Sequence, residues 1–302
     1  MGGVLFPWIS GEYHGNCVRF SATILLFFVF PLLLPGAWGG QIVNDAPRPR
    51  VVVPKAGSLP ALTADATDPA WKAAAQLAPF TLSLPWRPQA PRVPPETEVR
   101  LLWDADALYV RFLCKDDHID TPIHGHDAPI YQGDAVEIFL DPVGDSRQWI
   151  ELEFNATNDV LDQLFLCTGE PRTDSSLRLT DEVLSRDVWA ILSWDMHGLK
   201  SAAGRWSVGG KEIGWIVDVS IPAPELLKRT GLRHFRPMTL RGDFLRYKWL
   251  PGLPKRELIS SNWSPVGFGC PHQSPAAYGE IVLEEAPAPV GSGAKPSSVN
   301  RP

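Results

Sequence analysis

The chain has 302 residues, and 28 Lys+Arg against 34 Asp+Glu leave a formal net charge of −6. That balance lacks the basic footprint of a nucleic-acid binder, and 44% apolar residues can fill a core, which excludes wholesale disorder. Thirty prolines, 12 tryptophans and 25 glycines without a three-residue period exclude collagen, coiled coil and helical repeats; they favour one β-rich domain with segments added at its ends.

From the N-terminus, the long apolar run is Ala22 to Leu34, ATILLFFVFPLLL. Its 13 residues, with Pro31 inside, fall short of the roughly 20 that span a bilayer. Small residues at Ala37 and Gly39 suit cleavage before Gly40. Residues 1–39 are therefore expected to be a signal peptide, and the mature protein to be secreted, periplasmic or part of the cell envelope. A membrane association follows only if that segment stays uncleaved. Translation starting at Val18 would give a more ordinary signal peptide.

Residues 40–58 form a leader stiffened by Pro47, Pro49 and Pro54, and 286–302 (APAPVGSGAKPSSVNRP) form a low-complexity tail expected to be disordered. Between them, 59–285 carry no repeat and no second linker, so one domain is expected.

Within it, Asp68 caps a short helix over 69–75. Val99 to Cys114 reads as two strands around an Asp104-Ala-Asp106 turn, with Leu108, Val110, Phe112 and Cys114 on one face and Tyr109, Arg111 and Leu113 on the other. Further strands are expected at 135–141, 149–155, 188–193, 215–220, 239–244, 257–260 and 279–284, with a second short helix at 224–228. Many short strands and few helices define an antiparallel, jelly-roll-like β-sandwich. Trp103 and Trp215, embedded in strand patterns, belong to the core. Cys114 packs as a small apolar group, and among Cys114, Cys167 and Cys270 no disulfide pair is singled out.

The residues offer little catalytic chemistry. Asp134 and Glu137 face opposite sides of a strand. Glu151 and Glu153 share a face at a spacing that a glycosidase pair tolerates, but they read as exposed acids on a solvated strand. His118, His124 and His126 lie near Asp116, Asp117, Asp120 and Asp127; a metal is conceivable there, or a structural calcium on the acids, yet the Gly- and Pro-punctuated loop fixes no ligand geometry. No nucleophile elbow, P-loop, dinucleotide fingerprint or haem-ligand pattern occurs. What remains is flat aromatic surface beside hydrogen-bonding groups, the chemistry that recognises sugars. Loop-borne Tyr131 and His272 stand out.

The ordered series Asp68-Pro-Ala-Trp71, Val99-Arg-Leu-Leu-Trp103-Asp104, Gly133-Asp134-Ala-Val-Glu137-Ile-Phe-Leu-Asp141-Pro142, Glu151-Leu-Glu-Phe-Asn155, Gly214-Trp215 to Pro222, and Asn262-Trp263-Ser264-Pro265 to Tyr278-Gly279 resembles the family-9 carbohydrate-binding modules and their looser bacterial relatives. The resemblance implies a β-sandwich that holds saccharides or polysaccharide chain ends between two aromatic rings, with structural calcium in some members. It assigns one sandwiching ring to Tyr131, the hydroxyl-binding acid to Glu137 and the second ring position to His272. Asn155 and its neighbour two residues earlier complete the site. The family's basic residue at that neighbour is Glu153 here, and Arg111 is the candidate replacement.

The resulting expectation is an exported, non-catalytic carbohydrate-binding module, linked to glycoside hydrolysis only through the company such modules keep. A structural or protein-interaction sandwich that has lost sugar binding is the alternative, and a haem- or metal-binding relative of the same sandwich is a third.

Overall fold

The computed structural model describes residues 48–83, 93–169, 188–252, 256–264 and 275–285. In chain order its strands begin with β1 (Arg50–Pro54), β2 (Ala75–Leu77), β3 (Thr81–Leu82), β4 (Thr97–Trp103) and β5 (Ala107–Lys115). They continue with β6 (Ala135–Asp141), β7 (Gln148–Asn155), β8 (Val160–Cys167), β9 (Val188–Ile191) and β10 (Lys200–Val208). The last four are β11 (Lys211–Pro222), β12 (Met238–Leu250), β13 (Glu257–Asn262) and β14 (Gly279–Glu284).

These strands make a β-sandwich of two sheets. The smaller has the order β10-β11-β5-β4-β2 and is antiparallel throughout. The larger follows β1-β14-β12-β6-β7-β8-β9, with β1 parallel to β14. Thirteen-residue β12 pairs with β14 along its first half and with β13 along its second, and β13 in turn pairs with β3.

The alternation of side chains explains the packing. Leu108, Val110, Phe112 and Cys114 from β5 meet Val136, Ile138 and Leu140 from β6 and Ile150, Leu152 and Phe154 from β7 in one apolar layer between the sheets. Trp103 and Trp215 belong to that core, and the Trp103 indole N–H donates to the Val53 carbonyl at 3.0 Å. Cys114 is buried there as a thiol, and burial pushes its pKa up to about 11. The β4–β5 hairpin turns where Asp104 Oδ1 accepts from the Asp106 and Ala107 amides, each at 2.8 Å.

Asp68 caps a 3-10 turn at Pro69–Ala73 by accepting from the Ala70 amide at 2.9 Å. That turn stops short of residue 75 because Ala75 joins β2. The second helix is Ala223–Leu226. Gly214 has φ +155°, and a Cβ there would stand 1.9 Å from the Cys114 carbonyl oxygen, so only glycine lets β11 approach β5 at this point. The described residues contain no helix long and apolar enough to cross a membrane. Residues 1–39, the tail 286–302, Cys17 and Cys270 lie outside the described residues.

Two buried charge networks brace the sandwich. On the outer face of the smaller sheet, Arg111 grips Asp218 with bonds of 2.6 and 2.9 Å and lies over the Trp71 ring at 4.7 Å. Asp218 also accepts from the Ala64 amide at 2.8 Å, which clamps the 63–64 segment onto the sheet. At the end of the core, Arg246 and Lys248 of β12 reach Asp116 at 2.5 and 2.6 Å, and Lys248 also reaches Asp134 at 2.9 Å. Burial works against the Asp116 charge, but Arg246 and Lys248 overcome it and hold the carboxyl below its ordinary value.

Removing one partner of a buried pair leaves an uncompensated charge, at a cost of about 3–5 kcal/mol. Arg111→Ala is therefore expected to lower the unfolding free energy by about that much, read from urea denaturation monitored by tryptophan fluorescence.

Candidate functional site on the outer face of the larger sheet

Residues on β6, β7, β8 and β12 that point away from the shared core make a second, aromatic-rich layer. Ile130, Tyr131, Phe139, Trp149, Leu161, Phe165, Leu245, Tyr247 and Tyr278 pack there. Trp149 and Phe165 stack with centroids 5.5 Å apart and planes 4° from parallel, and Phe139 lies 5.9 Å from Tyr278. Strand alternation alone puts Glu137, Glu151 and Glu153 on the same side. Registers then bring them together, because Glu137 stands opposite Glu153 and Glu151 opposite Phe139.

All three glutamates are buried, and each offers a carboxylate oxygen within 4.8 Å of the others. Burial and then the neighbouring Glu151 charge push the Glu137 carboxyl well above its usual range, while a hydrogen bond from the Tyr247 hydroxyl pulls the other way. For Glu153 the causes are burial followed by the charges of Glu137 and Glu151. Within the cluster Glu137 meets the Tyr247 hydroxyl, and Glu153 meets the Glu151 carboxyl. Glu151 is held by the side-chain amide of Gln163 on β8. Further along the face, burial lifts Asp243 to about 7, although the Asn262 side-chain amide and the Ser264 N–H donate to it at 2.9 and 2.7 Å.

Tyr131 sits in a 3-10 turn, Ile130–Gln132, that lies across β7. Its carbonyl accepts from the Trp249 indole at 2.9 Å, and its amide donates to the Glu153 carboxylate. The ring is only 8% exposed, and burial followed by the Glu153 charge pushes the hydroxyl up to about 12. Tyr131, Glu137 and Glu153 thus meet on one face.

The other expected site residues do not join them. Arg111 is on the outer face of the opposite sheet and committed to Asp218, so it does not supply a base beside Glu137. Asn155 spends its side chain on the turn after β7: Oδ1 accepts from the Thr157 and Asp159 amides at 3.1 and 2.9 Å, and Nδ2 donates to Asp159 at 2.9 Å. His272 lies outside the described residues.

The structure also corrects the reading of Glu151 and Glu153 as solvated acids. β7 is an interior strand of its sheet and the Tyr131 turn covers it, so both side chains are sealed. The expected nest of acids near His118 is corrected likewise: Asp116 is spent on Arg246 and Lys248, and Asp120 pairs with Arg256. Sequence reasoning missed Gln163, Tyr247 and Tyr278. For Gln163 and Tyr247 the available signal was parity with the acids, since both fall on the outward side of their strands.

Residues 64–158 match the family described as carbohydrate family 9 binding domain-like. Among solved structures, a family 9 carbohydrate binding module from Caldicellulosiruptor kristjanssonii in complex with cellotriose is similar at 16% identity and a TM-score of 0.50, covering 82% of this chain and all of that one. The module from the same organism in complex with glucose is also 16% identical, with a TM-score of 0.50 and coverage of 79% and 98%. No curated protein matches the chain.

The raised carboxyls carry a sign. A native Glu137 retains a proton that the unfolded chain, with its carboxyl near the ordinary 4.5, has released. Its contribution to stability is full below that value and is lost as pH rises through the higher folded value. Glu137→Gln removes this loss while keeping the shape. The variant is expected to match the parent in thermal stability near pH 4 and to melt higher at pH 8, as scanning calorimetry across that range would record.

Proposed function

We propose that the chain is a non-catalytic saccharide-binding module of an exported protein, with contacts centred on Tyr131, Glu137 and Glu153 and with His272 as the second ring-bearing residue. The observation that carries this reading is the cluster of Glu137, Glu151 and Glu153 carboxyls buried beside aromatic rings, with more acceptor capacity than Tyr247, Gln163 and the Tyr131 amide take up. Burying a polar atom without a partner costs free energy, and a sugar supplies what is lacking: several hydroxyl donors on a ring whose C–H face packs on tyrosine. The family-9-like segment supports the same ligand class, and the similar structures hold cellotriose and glucose, which makes these two the first probes. Export through residues 1–39, structural calcium and partnership with a glycoside hydrolase belong to this reading as its context.

A second reading rests on burial. Tyr131 is 8% exposed and Glu137 is fully sealed, which also fits a structural or protein-interaction sandwich that keeps this face as a second core. A glycan array followed by calorimetry on the purified chain separates the two. The binding reading predicts a saccharide ligand whose affinity falls at least tenfold in Tyr131→Ala, the order expected when an aromatic stacking partner is removed. No glycan bound, or equal affinity in the variant, supports the second reading.

A further inference from the structure

On the inward side of β8, away from the acid face, His126, Asp127, Asp162 and Asp195 offer ligand atoms that all lie within 4.8 Å of one another. They come from three stretches of chain that the fold ties together. The 124–127 loop is pinned to the start of β8, where the Asp127 amide donates to the Val160 carbonyl at 2.9 Å and Asp159 accepts from His124 Nδ1 and the Gly125 amide, each at 2.8 Å. The stretch carrying Asp195 is pinned by the Met196 amide, which donates to Asp162 Oδ2 at 2.5 Å. The loop that looked shapeless in sequence therefore has a fixed place against β8.

Asp162 is the central group. Its side chain is 2% exposed, Oδ2 is satisfied by Met196, and Oδ1 has no hydrogen bond. His126 Nε2 faces that oxygen at 3.3 Å, and Asp195 Oδ1 lies 4.0 Å from the same nitrogen. The other ring nitrogen, Nδ1, is 3.2 Å from Asp127. With Asp127 accepting the Nδ1 proton, Nε2 would keep its lone pair on the side where Asp162 and Asp195 stand, as carboxylates orient metal-binding imidazoles in proteins. Ligands about 2.0–2.1 Å from a tetrahedral ion stand about 3.3–3.4 Å apart, which is the His126–Asp162 separation. Asp195 Oδ1, 4.0 Å from Nε2, is exposed and would have to close by well over half an ångström to match. An imidazole with two carboxylate oxygens suits a divalent transition metal, whereas calcium takes oxygen ligands alone.

We propose that His126, Asp162 and Asp195 form a binding site for one divalent transition-metal ion, oriented by Asp127, that ties the 124–127 loop and the 195–196 stretch to β8. The inference is independent of saccharide binding.

The test is calorimetric titration of the EDTA-treated full chain with zinc chloride and, separately, calcium chloride, with melting temperature followed in parallel. The expected result is one equivalent of zinc bound, with a rise in melting temperature. His126→Ala should weaken zinc at least tenfold and abolish the zinc-dependent rise measured against the variant's own metal-free melting temperature. Asp162→Asn should abolish zinc binding; if that buried change prevents folding, the exposed His126 variant decides alone. Absence of stoichiometric zinc binding, zinc affinity unchanged in His126→Ala, or preference for calcium over zinc would each overturn the proposal.

Discussion

Three carboxyl groups within 4.8 Å on a sealed sheet face repel one another strongly once ionised, because little water is present to screen them. Glu137 and Glu153 are accommodated by holding protons, and a protonated acid is donor and acceptor at once. Much of the larger sheet's outer layer is organised around that condition. The Tyr131 turn is tied down through its amide on Glu153, Gln163 closes on Glu151, and Tyr247 faces Glu137. The aromatic ring assigned to ligand contact is thus held in place by the acids beside it.

The contrast with the rest of the molecule gives this face its meaning. Arg111 meets Asp218 in two charge-assisted bonds, and Arg246 and Lys248 are shared between Asp116 and Asp134. Those pairs clamp segments to the sandwich and keep their charges compensated. Glu137, by comparison, carries its carboxyl into the interior with no ion pair among the described residues. A fold that matches Arg111, Arg246 and Lys248 with carboxylates and leaves these glutamates together has a face whose polarity is in excess of what packing needs. Hydroxyl-rich ligands supply the complement, and this connects the energetics of the sheet to the proposed function.

The central strands were legible because their apolar periodicity is strong. β6 and β14 fall where the alternation puts them, and the β4–β5 hairpin turns at the Asp104-Ala-Asp106 cluster. The strands that escaped lacked such a pattern. β10 reads KSAAGRWSV at a sheet edge and owes its strand to pairing with β11, while β8 carries Asp162 and Gln163 in its middle, both buried for reasons that lie on other strands. Parity identified the shared face of Glu151 and Glu153 but not their burial, since nothing local to β7 encodes the turn from 130–132 that covers them. Arg111 shows the same gap: its orientation was readable, whereas its sheet neighbour Asp218, 107 positions away, was supplied only by the β11–β5 register. The convergence of the 124–127 loop with Asp162 and Asp195 likewise depends on tertiary hydrogen bonds.

The account turns on whether the Glu137 carboxyl is kept for a ligand or for packing. The most direct measurement is saccharide affinity by calorimetry in the parent chain and in Glu137→Gln at pH 8, with melting temperature recorded on the same samples. Binding through this acid predicts weaker affinity in a variant that melts higher, because the change relieves burial and repulsion while removing a hydroxyl partner. Unchanged affinity in the more stable variant would contradict it and leave the acid face as a packing feature.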